Sequence, residues 1–144
     1  MIRVIGIDFG LSKVGLAISD PSGIIALPFK VIRYKNKEEL LNELKDISEQ
    51  KNVNKFVVGY PISMNYKKNE MTEIIDNFKE DMENLNFEVI LEDERLSSEY
   101  AKKIIIKQDV KVSKNKEMVD LPAASIILQT YLDRNKNQWN TKEY

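Results

Sequence analysis

The 144-residue chain contains neither cysteine nor histidine. The lack of cysteine excludes disulfide bonds, thiolate nucleophiles and cysteine-ligated metals. The lack of histidine excludes Ser-His-Asp triads, histidine general bases and histidine-bound zinc. An enzyme with this composition must work with Asp, Glu, Lys, Arg, Ser, Thr and Tyr, together with a hard metal ion if it uses one.

Long apolar runs and an excess of one charge are also missing. Lys and Arg number 22 and Asp and Glu 23, and the net charge of −1 excludes a uniformly basic coat for nucleic acid. No apolar run approaches the ~18 residues that cross a bilayer, and the N-terminus enters a strand pattern instead of a signal peptide, so we expect a cytoplasmic protein. With 42% hydrophobic residues the chain can bury a core. Its length predicts one domain over residues 1–134 and a polar, frayed tail over 135–144.

Hydrophobic spacing predicts an α/β fold with a five-stranded mixed sheet. The strands are expected at Ile2–Asp8, Val14–Ser19, Ile24–Arg33, Lys55–Tyr60 and Phe87–Leu91. Pro28 marks the third strand as an edge or a bulge. One helix is expected after the third strand, one after the fourth, and two after the fifth, at Ser98–Gln108 and Met118–Leu132. The opening meander favours three antiparallel strands and the later alternation favours parallel ones, with helices on both faces.

Three acidic residues fall where open sheets bind ligands. Asp8 ends the first strand, Glu94 closes the acidic run 92–94 after the fifth, and Asp120 lies on the apolar face of the last helix. Each also has an ordinary interpretation: a turn cap for Asp8, a solvated loop for the run, and a helix-dipole contact for Asp120. Together they describe a carboxylate cluster. Such a cluster suits Mg²⁺ or Mn²⁺ and in-line phosphoryl displacement.

A local excess of lysine lies between residues 102 and 116. Six lysines and one acid give this stretch a charge of +5, which favours binding of nucleic-acid phosphates, although a solvated helix face with a loop has the same composition. The candidate phosphate-binding residues are Lys13, Arg95, Ser97, Ser98, Lys102, Lys103, Lys111, Lys114 and Lys116. Structural turns are expected at Gly10, Gly59 and Pro61.

Four motifs occur along the chain in a recognisable order. They are Ile5-Gly6-Ile7-Asp8-Phe9-Gly10 with Lys13-Val14-Gly15-Leu16-Ala17, then Val57-Val58-Gly59-Tyr60-Pro61, Asp93-Glu94-Arg95-Leu96-Ser97-Ser98 and Val119-Asp120-Leu121-Pro122-Ala123-Ala124. Over residues 2–134 the chain thereby resembles the RuvX/YqgF family of small bacterial proteins with a ribonuclease H-like fold. Members of that family are named as pre-16S rRNA nucleases and, earlier, as Holliday junction resolvases.

The resemblance implies a metal-dependent endonuclease that matures the 5′ end of 16S rRNA. Its acidic triad would be Asp8, Glu94 and Asp120, as catalytic residues and as ligands of Mg²⁺ or Mn²⁺. One motif departs from the family pattern: after Gly-x-Pro the family usually shows Asn-Met-Asp-Gly, whereas this chain has Ser63-Met64-Asn65-Tyr66. The departure leaves the role of that loop open and does not touch the triad.

Three other functions stay open at this point. The first is a Holliday junction resolvase acting on branched DNA, and the second is a non-catalytic RNA-binding factor of ribosome assembly, which would lack one of the three acids. The third is an actin-like ATPase or sugar-kinase relative with Asp8-Phe9-Gly10 as a phosphate-binding hairpin; such proteins need two lobes and 144 residues supply one. The expected partner is nucleic acid, an RNA precursor ahead of a DNA junction. We expect a monomer or weak homodimer that does not bind membranes.

Overall fold

The computed structural model describes residues 3–62, 69–94 and 122–142, with side chains up to residue 135 in the last segment. The strands are β1 (Arg3–Asp8), β2 (Lys13–Ser19), β3 (Ala26–Arg33), β4 (Val53–Tyr60) and β5 (Glu88–Asp93). The helices are α1 (Lys37–Lys51), α2 (Glu70–Asn84) and α3 (Ala123–Lys142). The helix predicted at Ser98–Gln108 lies outside the described residues.

The strands form one five-stranded sheet in the order β3-β2-β1-β4-β5. β1 pairs antiparallel with β2, and β2 pairs antiparallel with β3, whereas β1–β4 and β4–β5 are parallel. The predicted mixed sheet is confirmed. β3 is an edge strand and also contains a bulge, because Leu16 pairs with Lys30 and Ala17 with Pro28, which leaves Phe29 unpaired between them. A proline is tolerated at this point because it has no N–H to offer the sheet.

Helices cover both faces of the sheet. One face packs against α1 and α2 through a core that includes Ile5, Ile7, Leu44, Phe56 and Ile75. The opposite face packs against α3 through Ala17, Val57, Ala124, Ile127, Leu128, Tyr131 and Leu132. Successive side chains of a strand point to opposite faces of the sheet. Two residues that are two positions apart in a strand therefore lie on the same face.

Helix α3 approaches β1 closely at Gly6. A Cβ added to Gly6 would lie 2.6 Å from the Cβ of Leu128 and 2.8 Å from the carbonyl oxygen of Ala124. Both contacts are shorter than packed side chains allow, so the helix can lie this near to the sheet only over a glycine. The first turn of α3 is therefore held next to the carboxyl end of β1.

The last helix is longer than the sequence predicts. It continues to Lys142, into the segment expected to be a frayed tail over 135–144. No glycine or proline follows Pro122, so the chain contains no residue that stops a helix there. Of the three described helices, none is both long enough and apolar enough to cross a membrane.

Candidate active site

The carboxyl ends of β1 and β5 bring two of the three predicted acids to one edge of the sheet. Asp8 is the last residue of β1, and Glu94 follows directly after β5. β4 lies between these strands and runs parallel to both, so all three end at the same edge. Ligands of open sheets bind at that edge. Alternation from Gly6 turns Asp8 toward the face covered by α3.

Gly59 in β4 provides the space into which Glu94 folds. A Cβ added to Gly59 would lie 2.9 Å from Oε1 of Glu94 and 2.6 Å from Cδ1 of Ile127. The sequence predicts a turn at Gly59, but the residue lies inside a strand. The glycine is needed there because the carboxylate of Glu94 and the side chain of Ile127 occupy the position of a side chain.

The two acids share a half-buried environment in which their charges repel. Burial raises the pKa of the Glu94 carboxyl, and the negative charges of Asp8 and Asp93 raise it further. Burial also raises the pKa of the Asp8 carboxyl, while the positive charge of Lys13 lowers it in part. A bound cation relieves both the desolvation and the repulsion of such carboxylates.

The donor atoms of this pair fit a hard divalent cation. Asp8 and Glu94 offer only carboxylate oxygens, the ligands that Mg²⁺ and Mn²⁺ prefer over nitrogen and sulfur. Within residues 3–62, 69–94 and 122–135, no group of three acids that could hold a metal is found. The third predicted acid, Asp120, lies outside these ranges.

The tight connection between β1 and β2 brings Lys13 beside Asp8. The carbonyl oxygen of Gly10 accepts a hydrogen bond from the Tyr34 hydroxyl at 2.5 Å, and the Tyr34 N–H donates to the Ser12 carbonyl at 3.1 Å. A Cβ on Gly10 would collide with the Lys13 carbonyl oxygen, so the predicted turn at Gly10 requires a residue without a side chain. Lys13, the only predicted phosphate-binding residue within the described ranges, therefore lies beside Asp8, whose carboxyl pKa its charge lowers.

A cleft of about 470 Å³ opens next to Asp8. It lies on the α3 face of the sheet, between β2, the bulged part of β3 and the first turn of α3. The lining residues are Asp8, Phe9, Gly10, Lys13, Gly15, Leu16, Pro28, Phe29, Lys30, Val31, Pro122, Ala123 and Ala124.

Glu92 forms a buried ion pair that the sequence does not predict. Its side chain is fully buried, and its two carboxylate oxygens accept hydrogen bonds of 2.7 and 2.6 Å from Nη1 and Nη2 of Arg134. The acidic run 92–94 is therefore not a solvated loop at this residue. Two periodicities point to the pair, because Glu92 follows Ile90 at strand spacing and Arg134 follows Ile127 at helical spacing.

Pro61 directly follows β4 and is hydrogen-bonded to the residue that caps α2. Its carbonyl oxygen accepts a hydrogen bond of 2.8 Å from Nδ2 of Asn69, whose side-chain oxygen caps α2 by accepting from the Thr72 N–H at 3.0 Å. The remaining predicted site residues lie outside the described part of the chain: Asp120, Arg95, Ser97, Ser98, Lys102, Lys103, Lys111, Lys114 and Lys116. The divergent stretch Ser63-Met64-Asn65-Tyr66 lies outside it as well.

Comparison with known proteins relates nearly the whole chain to one family. The sequence pattern of the family described as "RuvX: Holliday junction resolvase" matches residues 2–134. A protein of Dictyoglomus thermophilum is 41% identical over 133 residues, which cover 92% of this chain and 96% of its own. A protein of Sulfurihydrogenibium sp. is 34% identical over 137 residues, which cover 93% and 92%. Both relatives are named for the expected activity of a pre-16S rRNA nuclease.

Solved structures show the same fold at low sequence identity. Thermus thermophilus RuvC in complex with a Holliday junction substrate superimposes with a TM-score of 0.62 at 10% identity, covering 94% of this chain and 96% of its own. The ribonuclease H-like fold expected from the sequence is thereby confirmed.

Proposed function

The chain belongs to the RuvX family, and from this membership we propose that it is a metal-dependent endonuclease that hydrolyses phosphodiester bonds in the 5′-end processing of pre-16S rRNA. The names of the relatives support the substrate. The observation that carries the proposal is the convergence of Asp8 and Glu94 at one sheet edge, where the negative charge of Asp8 adds to the cost of ionising the half-buried Glu94 carboxyl. A site that costs stability in this way is typical of function.

The residues proposed to hold Mg²⁺ or Mn²⁺ are Asp8, Glu94 and Asp120. The ion supplies charge stabilisation at the phosphoryl oxygens and lowers the pKa of water, which is why a nuclease without histidine can work at neutral pH. The backbone of Asp8 is held in the central strand of the sheet, and the side chain of Glu94 packs into the space that Gly59 leaves by having no side chain. The protein therefore orients both carboxylates before substrate arrives.

Lys13 is proposed to bind a phosphate oxygen of the substrate. Its charge acts on Asp8, so a phosphate that approaches the carboxylates meets a cation at the same place. Arg95, Ser97, Ser98 and the lysines between 102 and 116 are proposed to hold neighbouring phosphates. Because such contacts release counterions, we expect substrate affinity to fall steeply with salt.

The second candidate is a resolvase of four-way DNA junctions. The description of the matching family favours it, because it names Holliday junction resolution. Both functions use the same carboxylates, so only the substrate distinguishes them. A non-catalytic RNA-binding factor is the third possibility.

The test offers the purified protein a 5′-extended 16S rRNA precursor and, separately, a four-way DNA junction, each with Mg²⁺, Mn²⁺ or EDTA. We expect cleavage of the RNA that requires the metal and weak or no cleavage of the junction. Cleavage of the junction alone would replace the proposal with the resolvase. Binding of the RNA without cleavage under any metal would make the protein a binding factor.

A further inference from the structure

The cleft beside Asp8 runs over β2 and β3, and Glu94 is not among its lining residues. The proposed chemistry uses only the Asp8 and Lys13 end of this cleft. Its volume of about 470 Å³ falls within the ~300–1,000 Å³ of small-molecule pockets and leaves room for one nucleotide. We propose that this cleft binds a single unpaired nucleobase of the RNA, next to the phosphodiester that is cut. The inference rests on the proposed function and names the form of substrate that the site accepts.

The floor of the cleft lies at Gly15, in the middle of a row of paired residues across three strands. Asp8 of β1 pairs with Gly15 of β2, and Gly15 pairs with Val31 of β3. Asp8 faces α3, so its cross-strand neighbours Gly15 and Val31 lie on that face as well. Because Gly15 has no side chain, the space between the carboxylate of Asp8 and the aliphatic side chain of Val31 stays open.

Helix α3 covers only one end of β3. Oε1 of Gln129 accepts a hydrogen bond from the Ala26 N–H, and its Nε2 donates to the Ile24 carbonyl, both at 2.8 Å. These bonds hold α3 to the start of β3. Farther along the strand, Pro28 and Val31 are left exposed, and Val31 keeps 55% of its surface open although it is aliphatic.

The chemistry of the walls suits a base better than a sugar-phosphate chain. Pro28 and Val31 form one wall, and Pro122 and Ala123 at the start of α3 form the other, and none of the four side chains carries a charge or a hydrogen-bonding group. Lys30 also lines the cleft, but its ammonium group pairs with Glu43 of α1 at 2.9 Å. Phosphates need cations, which the cleft offers at the Lys13 end, whereas an unstacked base gains by covering apolar surface on both of its faces. A nucleotide whose phosphate lies at Lys13 and Asp8 can place its base between these walls.

A base can enter the cleft only after it leaves a helical stack. Unstacking and unpairing cost several kcal/mol in a duplex and far less in a single strand. The site therefore selects an RNA segment that is unpaired at the cut, such as a single-stranded 5′ extension.

The experiment measures base insertion separately from cleavage. Short single-stranded RNAs that tile the 5′ extension of precursor 16S rRNA carry 2-aminopurine at one position at a time, and their fluorescence is recorded with the full-length protein in EDTA, where nothing is cut. Val31→Asn makes the wall polar. The matched control is Leu27→Asn, because Leu27 is an apolar residue of the same strand, 46% exposed, that does not line the cleft.

We expect a rise in fluorescence at one position with wild type and Leu27→Asn, and a loss of that rise with Val31→Asn. An abasic nucleotide at that position should weaken binding about fivefold or more in wild type, which corresponds to the lower end of what one stacked base contributes. Gly15→Ala provides a second variant, since its Cβ would lie 3.8 Å from the Asp8 Cβ and fill the floor without displacing Asp8. It should also abolish the rise.

Equal signals at every position, or a rise that survives both Val31→Asn and Gly15→Ala, would overturn the base subsite. Cleavage of the unlabelled RNA with Mg²⁺ is scored independently. Cleavage with flat fluorescence removes the subsite and leaves the nuclease standing. A position-specific rise without any cleavage overturns the nuclease and leaves a base-binding cleft.

Discussion

At the scale of single residues, the site depends on two glycines, because a side chain at either position would collide with its neighbours. Gly59 leaves room for the Glu94 carboxylate, and Gly6 lets α3 pack onto β1. Neither glycine has a positive φ, so backbone freedom does not explain them. The sequence predicts the three acids, but it does not indicate which glycines make room for Glu94 and for α3, because a glycine that leaves space has the same sequence signature as one that turns the chain.

Gly59→Ala should impair cleavage more than it impairs folding. The added Cβ meets Oε1 of Glu94 at 2.9 Å and Cδ1 of Ile127 at 2.6 Å, so the carboxylate must shift. We expect a loss on the order of a hundredfold in kcat/KM, with a destabilisation of about 1–3 kcal/mol. Initial rates and urea denaturation measure the two effects.

Gly23→Ala is the matched control for Gly59→Ala. Gly23 has a φ of 75° and no atom near its missing Cβ, so alanine costs about 1 kcal/mol of stability through backbone strain alone. Its rate of cleavage should equal that of wild type. If both variants lose the same fraction of activity, the explanation by displacement of Glu94 is wrong.

Asp20, which lies far from the site, makes a pH-dependent contribution to the stability of the folded protein. Its carboxylate accepts hydrogen bonds from the Ile25 and Ile24 N–H groups at 2.8 Å and from the Ser22 hydroxyl, which together lower its pKa to about 2. The folded pKa lies below the unfolded value of 3.8. Its stabilising contribution is therefore complete above pH 4 and is lost as the pH falls toward 2.

Carboxyl NMR titration checks this prediction. The Asp20 resonance should titrate near pH 2, and Ser22→Ala should raise the midpoint by removing one donor. A wild-type midpoint near 3.8 would show that the turn does not hold the carboxylate in this way.

At the scale of elements, the Glu92–Arg134 pair joins β5 to α3 on the face that carries the site. Breaking it from the arginine side leaves a carboxylate buried without a partner, which is the costly case. Arg134→Met should destabilise the protein by about 2–3 kcal/mol. This is less than breaking a fully buried ion pair costs, because the arginine side chain is 47% exposed and solvent screens its charge.

The double variant Glu92→Met with Arg134→Met should recover most of that loss, because it buries apolar groups in place of the unpaired charge. Urea denaturation of the four proteins of the cycle measures the coupling between the two residues. Strict additivity of the two single changes would contradict the assignment of a coupled pair.

The elements themselves follow closely from the sequence. Hydrophobic periodicity predicts the strands and helices, their order along the chain predicts the meander and the parallel strands, and the missing N–H of Pro28 predicts an edge or a bulge. The extension of α3 beyond residue 134 is not predicted, since a polar segment without glycine or proline has the same composition whether it is an exposed helix or an irregular tail. The partner of Glu92 is missed because pairing between distant elements depends on packing, which one sequence does not display.

At the scale of the whole molecule, an acidic edge and a basic segment coexist in a chain of net charge −1. β1 and β5 flank β4 and run parallel to it, so their carboxyl ends meet at one edge of the sheet and acids 86 positions apart in sequence converge. The strand order therefore creates a local concentration of negative charge, which the near-neutral net charge of the whole chain does not indicate.

Metal binding should stabilise the folded protein through this site. At a concentration of Mn²⁺ one hundred times the Kd, binding contributes about 2.7 kcal/mol, which raises Tm by several degrees. Asp8→Asn should lose that rise and, without metal, should melt at or above the wild-type Tm, because the repulsion between Asp8 and Glu94 is gone. Differential scanning calorimetry in EDTA and in Mn²⁺ provides both values. An equal metal-induced rise in the two proteins would place the cation elsewhere.

The most direct test of the central claim compares the rate of metal-dependent RNA cleavage by wild type, Asp8→Asn and Glu94→Gln. Glu88→Gln is the matched control, because Glu88 is the exposed first residue of β5, at the opposite end of that strand from Glu94, and its carboxylate contacts Lys55 at 3.6 Å. We predict that each site variant cuts on the order of a thousandfold slower while the control cuts normally, since the metal contributes several kcal/mol to the transition state. Cleavage by Asp8→Asn at the wild-type rate would contradict the account.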